Sequence, residues 1–239
     1  MENEAIVIPT FNEEKNIKKI VHLIRDKTQA LIIIVDDSEN SKGKNIIAKE
    51  KINNLLYYHR KKKLGRGSAI VFGFKKILKS KRKINCFIEM DADLSHNPNE
   101  LIRNISFFYK HSIDLLIASR YLKKSKIVNW PTSRKILSRL SNMLARIFLG
   151  VPVKDYTNGF RFYSKRAAKV VASECKNLGG FIILSEILLR TYRRNYKILE
   201  INTIFKNRVR GESTVNVDLI LKSFLGLWKL FFLKIFKKI

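Results

Sequence analysis

I-N-C-F-I-E-M-D-A-D (84–93) is the stretch on which the reading of this chain turns. Residues 84–90 form a short, mostly apolar run, and Asp91 and Asp93 follow two residues apart just past its end. In an extended segment, side chains at i and i+2 point the same way. Two carboxylates projecting together at the carboxyl end of a parallel strand can hold a hard divalent cation against a phosphate. A solvated turn or a helix cap also uses Asp, so the pair by itself leaves both readings open.

The flanking sequence supplies the fold. Residues 5–9, 31–35, 55–58 and 113–118 are further short apolar runs, rich in β-branched and aliphatic side chains and lacking alternation, as expected of strands covered on both faces. Amphipathic segments of helical period lie between them. Asn12 starts the first, with Ile17, Ile20, Val21 and Ile24 as its apolar stripe, and residues 65–79 and 99–109 follow the same pattern. Strand–helix alternation predicts an α/β fold with a mainly parallel, Rossmann-like central sheet. Further on, the spacing predicts a long helix over 130–150, with Pro131 in its first turn and an apolar face of Ile136, Leu137, Leu140, Leu144, Ile147 and Phe148. A strand over 159–163, a helix over 181–194 and a last strand over 198–205 complete the reading, with no internal repeat or linker.

Composition bounds the function. The 239 residues suit one large α/β domain with a short appendage, and 46% hydrophobic residues can build a sizeable core. Cys86 and Cys175 are far apart in apolar segments and read as buried free thiols of a reducing compartment. The acidic Met1-Glu2-Asn3-Glu4 leads straight into a strand, so no signal peptide is expected. The formal net charge of +28 predicts attraction to a polyanion: nucleic acid, an anionic membrane face or phosphorylated substrates. A nucleic-acid-binding module is disfavoured, because the basic residues are dispersed and no nucleic-acid motif is present.

Residues 218–239 differ in kind. On a helical wheel Leu221, Leu225, Trp228, Phe232, Ile235, Phe236 and Ile239 share one face, and Lys222, Lys229 and Lys237 share another. Each lysine near the centre of a bilayer-spanning helix costs about 2.5–3.5 kcal/mol, which argues against a crossing. A basic amphipathic helix lying in the membrane interface is expected, with packing on the domain's own core or on a partner subunit as the alternative.

Open parallel sheets bind ligands beyond the carboxyl ends of their strands. Three predicted strand ends carry suitable residues: Pro9-Thr10-Phe11-Asn12-Glu13, Val35-Asp36-Asp37-Ser38 and Asp91-Ala92-Asp93. Acidic groups there can hydrogen-bond a base or ribose, while a metal at Asp91 and Asp93 neutralises a diphosphate. The histidines His22, His59, His96 and His111 do not form a metal-ligand set, and His96 reads as a loop residue beside the site.

The ordered motifs I-V-I-P-T-F-N-E (6–13), V-D-D-S (35–38), L-G-R-G-S-A (64–69), D-A-D-L-S-H-N-P (91–98), A-S-R-Y (118–121), N-W-P-x-x-R (129–134), D-Y-T-N-G-F-R (155–161) and R-V-R-G-E-S (208–213) resemble one family. It is the family-2 glycosyltransferases with the GT-A fold, in the polyprenyl-phosphate (dolichol-phosphate) mannosyltransferase branch, and the resemblance runs from about residue 5 to 214. It implies a GT-A domain over 1–217, followed by the amphipathic helix over 218–239. It also implies inverting transfer of a hexose, with GDP-mannose the favoured donor, to a polyprenyl or dolichyl phosphate. The enzyme would sit peripherally on the cytoplasmic side of an anionic membrane, with a separate membrane subunit left open as a partner.

The resemblance further implies roles for residues. Pro9, Phe11 and Glu13 would line the nucleotide site, Phe11 standing where the family usually has Tyr. Val35 and Asp37 would contact base and ribose. Asp91, Ala92 and Asp93 would meet the nucleotide sugar, with Asp91 and Asp93 coordinating Mg²⁺ or Mn²⁺. Ser95 is the third candidate ligand, where the family often has Gln. Arg120 and Arg134 would meet phosphates, including that of the lipid acceptor, since an arginine fork suits such oxygens. Arg208 would close over the nucleotide, and Thr214 stands where the family commonly has Lys. Glu186 fits a donor-side or structural position. Transfer of glucose or another sugar from a UDP-sugar is the rival within the family, and a catalytically inactive membrane scaffold of the same fold is a further alternative.

Overall fold

The computed structural model describes residues 3–176, 182–207 and 217–236, the stretch 217–224 by its backbone alone. The first half alternates as expected: β1 (Glu4–Thr10), α1 (Ile17–Arg25), β2 (Leu31–Asp36), α2 (Lys42–Lys49), β3 (Leu55–His59), α3 (Arg66–Lys79) and β4 (Cys86–Glu89). After a 3₁₀ turn at Pro98–Glu100 come α4 (Leu101–Lys110), β5 (Leu115–Ser119), β6 (Lys126–Val128), α5 (Thr132–Leu149) and β7 (Arg161–Ser164). They are followed by α6 (Lys165–Glu174), α7 (Ile182–Arg193), β8 (Ile198–Asn202), β9 (Ile204–Lys206) and α8 (Val217–Ile235).

One seven-stranded sheet has the order β3-β2-β1-β4-β7-β5-β8, and β6 and β9 pair in a small parallel sheet of their own. Within the large sheet only β7 runs antiparallel to its neighbours. The absence of polar alternation in the strands has a direct cause: successive side chains enter two different cores. Ala5 and Val7, with Ile33, Val35, Phe87 and Tyr163, face α3, α6 and α7. Ile6 and Ile8, with Ile32, Ile34, Ile88 and Phe162, face α1 and α4. Helix α3 lies close on β1 because residue 73 is glycine: a Cβ there would stand 2.5 Å from Val7 Cγ1. Phe74 meets Phe87 and Tyr163 edge-on, with centroids 5.4 and 5.2 Å apart.

The structure departs from the sequence reading in four places. Asn12 does not begin a helix; it takes a left-handed backbone (φ 56°), and α1 starts at Ile17 behind Asn16. The expected last strand divides at Thr203, so that β8 joins the large sheet and β9 joins β6. Helix α2, strand β6 and helix α6 were not anticipated. The apolar face expected of α5 is largely not in the core. Asn142, Ala145 and Leu149 are its buried positions, whereas Ile136, Leu140, Met143 and Ile147 are between 45% and 68% exposed.

Helix α8 shows the same pattern. Leu227 and Leu230 enter the core, and Trp228 and Phe231 pack on Phe148 of α5, with centroids 5.0 and 5.3 Å apart. Of the face predicted to be apolar, Leu225, Phe232, Ile235 and Phe236 are exposed and Trp228 is partly so, while the side chains of Leu221 and Ile239 lie outside the described residues. Among the described residues no helix is long and apolar enough to cross a membrane.

Candidate functional site

The register brings the carboxyl ends of β1, β2, β4 and β5 to one edge, with Thr10 beside Asp36, and antiparallel β7 starts at the same edge, Arg161 opposite Glu89. The chain thus places residues 9–13, 35–38, 91–96, 120 and 155–160 around one rim, where a parallel sheet offers a ligand site.

At the β2 end the two aspartates have different tasks. Asp36 accepts bonds from Thr10 Oγ1 (3.0 Å), Ser38 N (3.1 Å), Ser38 Oγ (2.6 Å) and Tyr57 OH (2.7 Å), which closes the turn. Burial, reinforced by Asp36, raises the Tyr57 pKa well above its ordinary value, so it stays a donor. Asp37 accepts from Leu64 N (2.8 Å), Gly65 N (2.9 Å) and Arg60 Nε, and so ties down the loop entering α3. Pro9 and Phe11 are half-buried, and Lys63 Nζ lies 4.5 Å from the Phe11 ring centroid. Glu13 accepts from Asn16 Nδ2 at 2.7 Å. The side chains of Val35 and Ala92 are wholly in the two cores, so any contact they make with a ligand comes from their backbone.

The acidic loop after β4 is held by residues that sequence reasoning did not single out. Arg66 donates through Nε to Asp91 Oδ1 (2.9 Å) and through Nη1 to Glu89 Oε1, while Tyr163 OH donates to Glu89 Oε2 at 2.6 Å. Burial would lower the Arg66 pKa, but Asp91 and Glu89 raise it above the ordinary arginine value, so the guanidinium stays charged. Gly159 makes room for it, because a Cβ there would fall 1.9 Å from Arg66 Nη2. The buried His96 accepts from Asp91 N at Nδ1 (3.0 Å), which puts its proton on Nε2, 3.0 Å from Asn158 Oδ1. Asn158 in turn donates to the Ala118 carbonyl, linking the loop to the end of β5. Leu94 adopts a left-handed backbone (φ 63°), uncommon for a bulky residue, and Ser95 N closes onto Asp93 Oδ1 at 3.0 Å.

Asp91 is 27% exposed, and Asp93 is buried at 5%. Glu89, Asp91 and Asp93 against Arg66 leave two formal negative charges in this corner. Carboxylate oxygens of that charge suit Mg²⁺ or Mn²⁺. Among the described residues no group of three or more His, Cys, Asp or Glu side chains could hold a metal.

Across the rim, Arg120 is buried and makes a two-pronged pair with Asp155, Nε to Oδ2 at 2.8 Å and Nη2 to Oδ1 at 2.7 Å, with Thr157 Oγ1 also 2.6 Å from Nη2. Burial opposes ionisation of both groups; their mutual attraction wins, raising the Arg120 pKa and lowering that of Asp155. Trp130 lies against two guanidinium groups, Arg120 at 5.4 Å and Arg134 at 4.3 Å from its ring centroid. Its buried indole N–H has no hydrogen-bond partner among the described residues, and Arg134 Nη1 donates to Asn207 Oδ1 at 3.1 Å. Arg161, fully buried, binds the carbonyls of Tyr156, Asn158 and Leu184. Glu186 pairs with Arg190 at 2.8 Å inside α7, a structural contact. Arg208, Thr214 and residues 180–181 lie outside the described residues. The overlooked Arg66, Asp155 and Arg161 all fall inside motifs already picked out, L-G-R-G-S-A and D-Y-T-N-G-F-R, which was the available signal.

Comparison with known proteins gives a consistent picture. The sequence profile of "Glycosyl transferase family 2" matches residues 5–171. The chain is 30% identical over 215 residues to the polyprenol monophosphomannose synthase of Mycolicibacterium smegmatis, covering 88% of this chain and 80% of that one. It is 30% identical over 217 residues to the undecaprenyl-phosphate mannosyltransferase of Micrococcus luteus, covering 90% and 88%. It is 34% identical over 218 residues to the dolichol-phosphate mannosyltransferase of Pyrococcus furiosus, covering 87% of this chain and 58% of that one. Among solved structures, glucosyl-3-phosphoglycerate synthase from Mycobacterium tuberculosis, in complex with Mn²⁺, UDP and glucosyl-3-phosphoglycerate, superposes with a TM-score of 0.66 at 18% identity, over 96% of this chain and 78% of that one. That likeness concerns the fold, which is the GT-A arrangement implied by the motifs.

Proposed function

Because this chain belongs to glycosyltransferase family 2, we propose that it transfers a hexose, with mannose from GDP-mannose as the favoured donor, to a polyprenyl phosphate at a membrane surface. The observation that carries the reading is the position of Arg120. It follows the last residue of β5 at the rim that also carries Asp91, and it lines a cleft whose described charged residues are all cationic. A donor side rich in carboxylates and an acceptor side rich in cations thus meet at one residue.

In this reading the backbone and side chains at Pro9, Phe11, Glu13, Val35, Asp37 and Ala92 receive the nucleotide, and Arg208 closes over it. Asp91 and Asp93 hold Mg²⁺ or Mn²⁺, with Ser95 shaping the turn on which Asp93 sits. When bound, the metal stabilises the negative charge of the departing nucleoside diphosphate. Arg120 and Arg134 orient the acceptor phosphate. A phosphate oxygen attacks the anomeric carbon, forming the new C–O bond as the bond to the diphosphate oxygen breaks, and the electron pair leaves with the nucleoside diphosphate. The attacking oxygen is already anionic near neutral pH, so alignment replaces a strong general base. That accords with His96 being engaged on both ring nitrogens.

The test is a donor screen with a short polyprenyl phosphate in detergent, Mg²⁺ or Mn²⁺, and detection of the lipid-linked sugar. GDP-mannose is expected to give the mannosyl lipid. A glucosyl lipid from UDP-glucose would instead assign the rival reading, which the departures at Ser95 and Thr214 and the apolar segment 180–186 keep open. No lipid-linked product from any sugar nucleotide would sink transfer altogether.

The exposed apolar face of α8 supports peripheral attachment, proposed for the cytoplasmic side. Deleting the helix would uncover the core around Leu227 and Leu230, so the informative variant keeps those two. Leu225→Ser/Phe232→Ser/Ile235→Ser/Phe236→Ser is expected to weaken co-sedimentation with liposomes by at least about tenfold, since each side chain forfeits about 1.5–3 kcal/mol of full burial. Unchanged co-sedimentation would refute interfacial attachment through α8.

A further inference from the structure

Arg66 is the first residue of α3, at the positive end of the helix dipole, where a cation is disfavoured. Its placement is nevertheless fixed from several sides. Asp37 accepts from Leu64 N and Gly65 N and so sets the turn into the helix. Gly159 leaves the room that Nη2 fills. Glu89, 1% exposed and bonded by Tyr163 OH, takes Nη1. The rest of the guanidinium faces Asp91. Nε lies 2.9 Å and Nη2 2.8 Å from the same oxygen, Oδ1, and of the two only Nε donates a hydrogen bond among the described residues. The backbone of the acidic loop is closed without this contact, since His96 Nδ1 holds Asp91 N and Asp93 Oδ1 holds Ser95 N.

What the contact adds is electrostatic. Glu89, Asp91 and Asp93 by themselves would concentrate negative charge at the rim and attract a bare divalent cation from solution. Arg66 offsets part of that charge and sets a positive group, one that does not deprotonate, directly against Asp91. A divalent cation reaching Asp91 meets that group a few ångströms away, and repulsion at such a range weakens binding even where water screens it. A nucleoside diphosphate reverses the balance, because it brings negative oxygens of its own to the cation.

We propose that Arg66 is a positioning residue that keeps a divalent cation from settling on Asp91 and Asp93 until the nucleoside diphosphate is present, so that metal and nucleotide enter together. This role rests on Asp91 and Asp93 holding the metal, as read above, and adds an order of binding to it. The cation is then released with the departing nucleoside diphosphate, which clears the rim for the next donor. Glu89 and Tyr163 are the anchor that holds Arg66 in place for this task.

The experiment measures Mn²⁺ binding to the full chain, with and without GDP, from the EPR signal of the unbound ion. The informative variant is Arg66→Met/Glu89→Gln. It removes one charge of each sign, so the net charge of the corner is unchanged. Methionine fills the space beside Gly159, and the amide oxygen at position 89 still accepts from Tyr163 OH. Arg66→Lys keeps the positive charge and serves as the comparison. Thermal unfolding checks that each variant folds.

The native chain is expected to bind Mn²⁺ at least about tenfold more weakly without GDP than with it. Without GDP the double variant is expected to gain about tenfold in affinity for Mn²⁺, whereas Arg66→Lys changes by less than about threefold. A purely structural Arg66 would lower the unfolding midpoint and bring no such gain. A double variant that gains nothing, or an equal gain in Arg66→Lys, would overturn the proposal. So would a native chain that binds Mn²⁺ as tightly without GDP as with it, a result that needs no variant to fold. Absence of Mn²⁺ binding in every protein even with GDP would instead refute the metal reading, and this role with it, so the two failures are distinguishable.

Discussion

Asp93→Asn is expected to lower the rate of sugar transfer by about 10³-fold at saturating Mg²⁺ or Mn²⁺, because a metal's stabilisation of a leaving diphosphate is worth several kcal/mol and each 1.36 kcal/mol is tenfold in rate. Asparagine is the informative replacement. Asp93 Oδ1 accepts from Ser95 N at 3.0 Å, and an amide oxygen keeps that bond while removing the charge. Asp93→Ala would remove both, mixing loss of the site with loss of the turn held by left-handed Leu94. The second readout is Mn²⁺ affinity in the presence of GDP, measured by calorimetry, which should fall with the rate. Full activity of the Asn variant across a metal titration would remove Asp93 from the site.

The pair of Arg120 and Asp155 is expected to dominate single-site stability effects. Both groups are buried, and removing one partner leaves an uncompensated charge, which typically costs about 3–5 kcal/mol. Arg120→Met or Asp155→Leu alone should therefore lower the unfolding midpoint by roughly 10 °C for a chain of this size. The double variant should recover much of that loss, since apolar replacement of a whole buried pair is often neutral. A double variant no better than the worse single one would contradict this account.

The pair also has a pH signature. The Asp155 pKa is lowered in the folded state, so its contribution is fully present above the ordinary Asp value of about 4 and is lost as pH falls through the depressed folded value. The double variant should lack that part of the acid sensitivity. Because the same guanidinium lines the cationic cleft, loss of transfer in an Arg120 variant has to be compared with its stability before any role toward phosphate is assigned.

Much of the site's framework was readable before any coordinates. The strand ends at Thr10, Asp36 and Glu89 follow from apolar runs closed by polar residues, a local pattern. Their meeting at one edge follows from the handedness of parallel crossovers. The partners of the carboxylates were not readable in this way. Arg66 is 25 residues from Asp91, and Asp155 is 35 from Arg120; no periodicity links such positions. Gly159 could be quoted as part of a motif, but its reason, the guanidinium of Arg66 lying where a Cβ would stand, exists only in three dimensions.

Helices α5 and α8 separate the two levels most clearly. Their sequences determined that each would be a helix with an apolar face, because 3.6-residue periodicity is a property of the segment alone. They did not determine which way that face would point. In α5 the positions buried are Asn142, Ala145 and Leu149, and among the described side chains of α8 they are Leu227 and Leu230, where α8 packs against α5 and α7. The larger apolar stripes were left at the surface. Burial depends on what the rest of the chain presents, and only the tertiary structure decided that these stripes would be left exposed.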